Sequence, residues 1–182
     1  MSLPSGAIDI EVDFLGPEYG GTGKSRRHQV VQSELLIRKA RGVDIAFEHY
    51  FTYPLQGKLP SGAENQVTLQ VADVVACLTM KGIVIGERYS EKDAYDIYSL
   101  ITHYQSGPQS VATAVKPYLS HGLVKEGIEK IAEKFATPRT IGPNWVADFL
   151  SGEATTSQQT REQILQDAYM QVNAFLSALH TE

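Results

Sequence analysis

"ACLTMKGIVIGERYSEKDAYDIYSL", residues 76–100, sets the frame for the rest of the chain. With Val74 and Val75 before it, its first half places Cys77, Leu78, Ile83, Val84 and Ile85 on most sides of a helix, the pattern of a buried element. One cation, Lys81, interrupts that run. Ser90 and Asp93 then have capping-box spacing, and the helix they open runs to about His103 with Ala94, Ile97, Tyr98 and Ile101 as its core stripe.

Toward the N-terminus the period shortens to two. Residues 7–15 alternate Ile8, Ile10, Val12 and Phe14 with Asp9, Glu11 and Asp13, as an amphipathic strand does. A glycine-dense loop follows and turns basic at its end. Residues 30–40 fit either a strand or a short helix, 42–55 a strand or hairpin, 59–62 a turn, and 65–72 a further strand. Beyond residue 104 the spacing predicts helices over about 108–119, 123–135 and 143–150. A last helix carries a stripe of Ile164, Leu165, Ala168, Tyr169, Val172, Phe175, Leu176 and Leu179. Strands precede helices, which predicts an α+β fold. The expected division is a strand-rich core with two packed helices over 4–104 and a helical region over 105–182.

The chain has 182 residues, 42% hydrophobic and 20% charged, with a net charge of -5, which argues against a protein devoted to coating nucleic acid. Its single cysteine, Cys77, excludes an internal disulfide and a cysteine zinc cluster, so a reducing cytoplasm is expected. No run approaches the roughly 20 apolar residues of a membrane span. The five histidines lack metal-ligand spacing. "GGTGKS" is not a phosphate loop, because the motif requires a glycine where Glu18 stands.

Lys81 has two ways to be tolerated in a greasy helix. It can lay its methylenes on apolar surface with its head in water, or point the head into a polar cleft containing carboxylates or a phosphate. The adjacent Gly82 costs about 1 kcal/mol in a helix and so suggests a close backbone approach. Asp93 is explained equally as a first-turn acid complementing the helix dipole, and Asp96 as the i, i+4 partner of Lys92. The stripe periodicity puts Asp93 at its margin and Asp96 on the far face.

Together, Lys81, Arg88 and "EKDAYDIYSL" resemble the signature of the AbiEii-type nucleotidyltransferases, the toxins of type IV toxin–antitoxin systems within the DNA polymerase beta-like nucleotidyltransferase superfamily. The resemblance spans residues 6–104, with Lys92 where arginine is usual. It implies a partial nucleotidyltransferase-type β-sheet followed by a helical C-terminal region. It further implies that Lys81 and Arg88 bind the nucleotide, with Lys81, Asp93 and Asp96 as catalytic residues. The substrate would be a nucleoside triphosphate, the acceptor RNA or another hydroxyl, the cofactor Mg²⁺ and the protein partner an antitoxin.

In-line nucleotidyl transfer uses magnesium ions held by carboxylates. Carboxylates at i and i+2 on a strand point the same way, roughly 6–7 Å apart, as Asp9, Glu11 and Asp13 would; a solvated strand face has the same alternation. The family takes two ligands from an Asp-x-Asp after a Gly-Ser turn and a third from a later strand. That makes Asp13, or Glu11, the third, with the first two upstream of this chain. "MSLPSG" running straight into a strand agrees with a fragment. The alternative is a non-enzymatic interaction module that keeps the fold. A metal-dependent nuclease using Asp9, Glu11 and Asp13 would want a Glu-x-Lys strand nearby, and none occurs. Lys24, Arg26, Arg27, His28, Arg38, Lys39 and Arg41 form a basic cluster opposed only by Glu34, suited to a triphosphate or an RNA backbone.

Overall fold

Asp73 divides the molecule. Its carboxylate accepts hydrogen bonds from the backbone N–H groups of Val75 and Ala76 at 2.8 and 3.0 Å, the N-cap of helix α1, Val74–Glu87. Among the described residues the strands lie before this point and the α-helices after it. The computed structural model describes residues 12–18, 28–32, 35–152 and 160–180. The order is β1 Leu15–Pro17, β2 His28–Gln32, β3 Leu35–Ala40, a 3-10 helix Val43–Phe47, β4 Tyr50–Lys58 and β5 Glu64–Ala72. After α1 come α2 Glu91–His103, α3 Pro108–Val115, a 3-10 turn Lys116–Tyr118, α4 Gly122–Lys134, α5 Ile141–Gly152 and α6 Arg161–His180. The fold is α+β with C-terminal helices.

The strands form two separate sheets. β3 is central in the first, parallel to β1 and antiparallel to β2, with a register shift between Val30 and Gln32. Within 30–40, residues 30–32 and 35–40 are thus strand and not helix. The second sheet is a lone β4–β5 hairpin, turned at residues 59–62 where Gly62 takes φ +85°. Residues 43–47, expected as strand, are instead a 3-10 helix that follows Gly42 at φ +82°. The left-handed glycine turns the chain off the β3 direction, and Ile45 anchors the turn in the core. Of the expected strand over 7–15, residues 7–11 lie outside the described residues. Val12 and Phe14, expected on its buried face, are exposed.

The helices bury one another rather than a sheet. A single apolar cluster runs from Ile45 through Leu78, Ile97, Val124 and Trp145 to Phe175 and Leu179. α1 packs chiefly on α4, α2 on α5, and α3 on α6, whereas α1 touches β5 much less. This differs from the expected sheet backed by α1 and α2: both helices are apolar enough to bury, but it is α4, α5 and α6 that cover them. Gly82 permits a close crossing of α1 and α4. A Cβ there would stand 2.3 Å from the Gly127 carbonyl oxygen, and one on Gly127 would stand 2.8 Å from the Thr79 oxygen. The glycine beside Lys81 therefore serves α4.

Candidate functional site

α1 ends at Arg88, whose extended backbone breaks the helix, and Ser90 starts α2 by accepting a hydrogen bond from Asp93 N at 3.3 Å. The sharp link folds the first turn of α2 back onto the last two turns of α1. That brings Lys81 to both acids. Its Nζ donates to Asp93 Oδ1 at 2.7 Å and to Asp96 Oδ2 at 2.6 Å. Arg88 donates from Nε and Nη2 to Asp93 Oδ2 at 3.2 and 2.9 Å, and Lys92 donates to Asp96 Oδ2 at 2.8 Å.

Asp93 is 2% exposed, the one charged side chain in the buried class among the described residues. Burial pushes its carboxyl upward, but hydrogen bonds from Lys81, Ser90 and Arg88 outweigh this and the pKa falls below the ordinary aspartate value. Burial likewise disfavours the Lys81 ammonium, and the bonds to Asp93 and Asp96 overcome it, raising its pKa. The two directions agree: the pair is ionised. Asp96 does not lie on the far face of α2, as its own stripe suggested. α1 packs on that flank, leaves Asp96 half-buried, and gives it Lys81 in addition to Lys92. Asp93 is thus a first-turn acid and a partner of Lys81 at once, while Asp96 pairs with both Lys92 and Lys81.

Above Lys81 opens a crevice of about 680 Å³ between the end of β1, the end of β3 and the outer side of α1. Lys81, Arg88 and Asp93 line it, together with Asp13, Glu18, Arg38, Lys39 and Arg41. Three members of the basic cluster thus reach the site. Lys24, Arg26, Arg27 and the opposing Glu34 lie outside the described residues, and His28 stands on β2 opposite Arg38. Arg41 is tied across the chain to Glu126 of α4 at 2.5 Å. The pattern-based reading missed Glu18. It lines the crevice with one carboxylate oxygen buried and without a hydrogen-bond partner, and its place in a glycine-rich stretch gave no sign of this.

Asp13 sits on the rim, its side chain 68% exposed and 3.9 Å from Arg38 Nη2. Glu11 and Asp9 lie outside the described residues. Among the described residues no three His, Cys, Asp or Glu side chains are grouped so as to hold a metal ion. Magnesium needs several hard oxygen ligands in near-octahedral array, and the described side chains do not by themselves supply them. The Cys77 thiol faces the Ala72 carbonyl at 3.7 Å, and burial followed by the Asp73 charge pushes its pKa up, away from the reactive thiolate. Among the described residues no helix is long and apolar enough to cross a membrane. No family model matches the chain, and neither a curated protein nor a solved structure matches it at a significant level.

Proposed function

We propose that the crevice over Lys81 binds the phosphates of a nucleoside triphosphate, and that the protein as a whole is a nucleotidyltransferase that passes a nucleotide to an acceptor hydroxyl, with RNA as one acceptor. The observation that carries this is the posture of Lys81. An ammonium has three donors; two are held by Asp93 and Asp96, so the head is fixed and charged while one donor remains for a ligand. Side chains so fixed lose little further entropy on binding, which favours affinity.

The surroundings support an anion. The crevice lining has five cationic against four acidic side chains in a chain of net charge -5. Arg88 uses one edge of its guanidinium on Asp93 and is 59% exposed, leaving further donors for phosphate oxygens. Asp93 and Asp96 act here as positioning residues that keep the lysine charged and aimed. Binding of the phosphates is what these side chains are equipped for, and Mg²⁺ would have to be completed by oxygens other than theirs.

The alternative, a non-enzymatic module that retains the fold, is favoured by one observation: among the described residues Asp13 has Arg38 at 3.9 Å as its ion-pair partner and belongs to no group of metal-ligating side chains. Titration calorimetry with magnesium-bound nucleoside triphosphates separates the two. The parent should bind, and Lys81→Ala and Arg38→Ala should each weaken binding by about tenfold or more, the loss expected for one charge-assisted hydrogen bond. Equal binding by parent and Lys81→Ala would remove Lys81 from the site. No binding by the parent would favour the module.

A further inference from the structure

Both faces of the β4–β5 hairpin are exposed among the described residues, and one of them is apolar. Its register sets Phe51 opposite Val71, Tyr53 opposite Leu69 and Leu55 opposite Val67. Strand alternation puts those six side chains on one side and Tyr50, Thr52, Pro54, Gln56, Gln66, Thr68 and Gln70 on the other, mostly polar, side. The six are between 37% (Val71) and 52% (Tyr53) exposed, and the helical core touches the hairpin only at its base. An isolated two-stranded ribbon is marginal in water, and a contiguous apolar face of this kind marks an interaction surface.

We infer that this face is a dimerisation surface whose occupant is the same face of a second copy of the chain. Three features select that occupant. The face carries no charge, and the ribbon's Lys58 and Glu64 sit opposite each other at its tip, so nothing on it chooses an acidic or basic partner. It is also self-complementary. A two-fold axis through the central Tyr53–Leu69 pair brings Phe51 of one copy to Leu55 of the other and Val67 to Val71, with the two helical bodies at opposite ends. Finally, the area suffices. Side chains of these sizes at these exposures offer on the order of 500 Å² per copy. Two copies would bury about 1,000 Å², the lower bound for specific association, which makes the dimer concentration-dependent.

Sedimentation equilibrium from micromolar to several hundred micromolar protein tests this on three chains: the parent, an apolar-face pair Tyr53→Lys/Leu69→Lys, and a polar-face pair Thr52→Lys/Gln70→Lys. The parent's mass should climb from 20.0 kDa toward twice that value. The apolar-face pair should stay at the single-chain mass, and the polar-face pair should follow the parent within a factor of about two in dissociation constant, as surface changes away from an interface do. Should the lysine pair lose helical circular dichroism, Leu55→Ser/Val67→Thr takes its place in the same comparison. A parent that stays monomeric throughout overturns the inference. So does an apolar-face variant that associates as the parent does, or a parent that partitions onto neutral phosphatidylcholine vesicles without self-associating.

Discussion

Replacing Asp93 by Asn removes a charge while keeping the side-chain shape and one acceptor oxygen. The lost charge had held Lys81 at 2.7 Å and Arg88 at 2.9 Å from a side chain almost wholly out of water. A charge-assisted hydrogen bond contributes about 1.5–3 kcal/mol. The Arg88 pair adds at most about 1 kcal/mol because that guanidinium is mostly solvated. The expected cost is therefore about 2–3 kcal/mol, or a Tm lower by roughly 5–10 °C for a chain of this length. Asp96→Asn should cost less, about 1 kcal/mol, since both its lysines reach solvent. Urea unfolding with far-UV circular dichroism measures both. In a Lys81→Met background, Asp93→Asn should cost less than in the parent, because the two changes remove one interaction. A loss below about 0.5 kcal/mol for Asp93→Asn, or a larger loss for Asp96→Asn, would refute the claim that Asp93 is the buried anchor of the network.

Three further outcomes are expected. Gly82→Ala should destabilise by about 2–3 kcal/mol, because its Cβ meets the Gly127 backbone and α1 must move off α4; helix propensity alone predicts the opposite sign, so thermal melting decides. Asp93 has a lowered folded pKa, so its stabilisation is present above the unfolded aspartate value of about 3.9 and is lost as pH falls through the folded value. Lys81, with a raised folded pKa, stabilises below its unfolded value of about 10.4 and that share is lost as pH rises through the folded one. Urea titrations across pH should show both flanks in the parent, with the acid flank flattened in Asp93→Asn. Tyr98→Phe should cost about 1–2 kcal/mol by freeing Asp167 from its 2.5 Å hydrogen bond between α2 and α6, read as a shift of the urea midpoint with an unchanged slope.

What the sequence made legible was what neighbours in the chain decide. Asp73 and Ser90 bond backbone groups two and three residues ahead, so the starts of α1 and α2 could be placed from local chemistry. The stripe on α6 buries Ile164, Leu165, Ala168, Val172, Phe175 and Leu179 as its spacing requires. The meeting of Lys81 with the Asp93 turn was legible only as one of two escapes for a cation. Asp96 was misplaced because a stripe locates the main core and says nothing of a second helix on the flank. Gly82 looked like part of the site, yet its partner, Gly127, lies on another helix with no pattern linking them. The β-branched and aromatic residues of 43–47 suit a strand, but the Gly42 turn set the burial of Val43 and Ile45 and left Phe47 exposed. Composition marked β4 and β5 as strands without indicating that, among the described residues, no helix covers their apolar face.

The most direct measurement is a ¹H–¹⁵N spectrum of the lysine Nζ groups as a magnesium-bound nucleoside triphosphate is added. Nζ of Lys81, slowed in exchange by two carboxylates, should be visible before addition, identified by its loss in Lys81→Ala, and should shift on titration. If that signal stays fixed while nucleotide binds, or if no hydrogen-bonded lysine is present at all, the crevice over α1 is not the phosphate site.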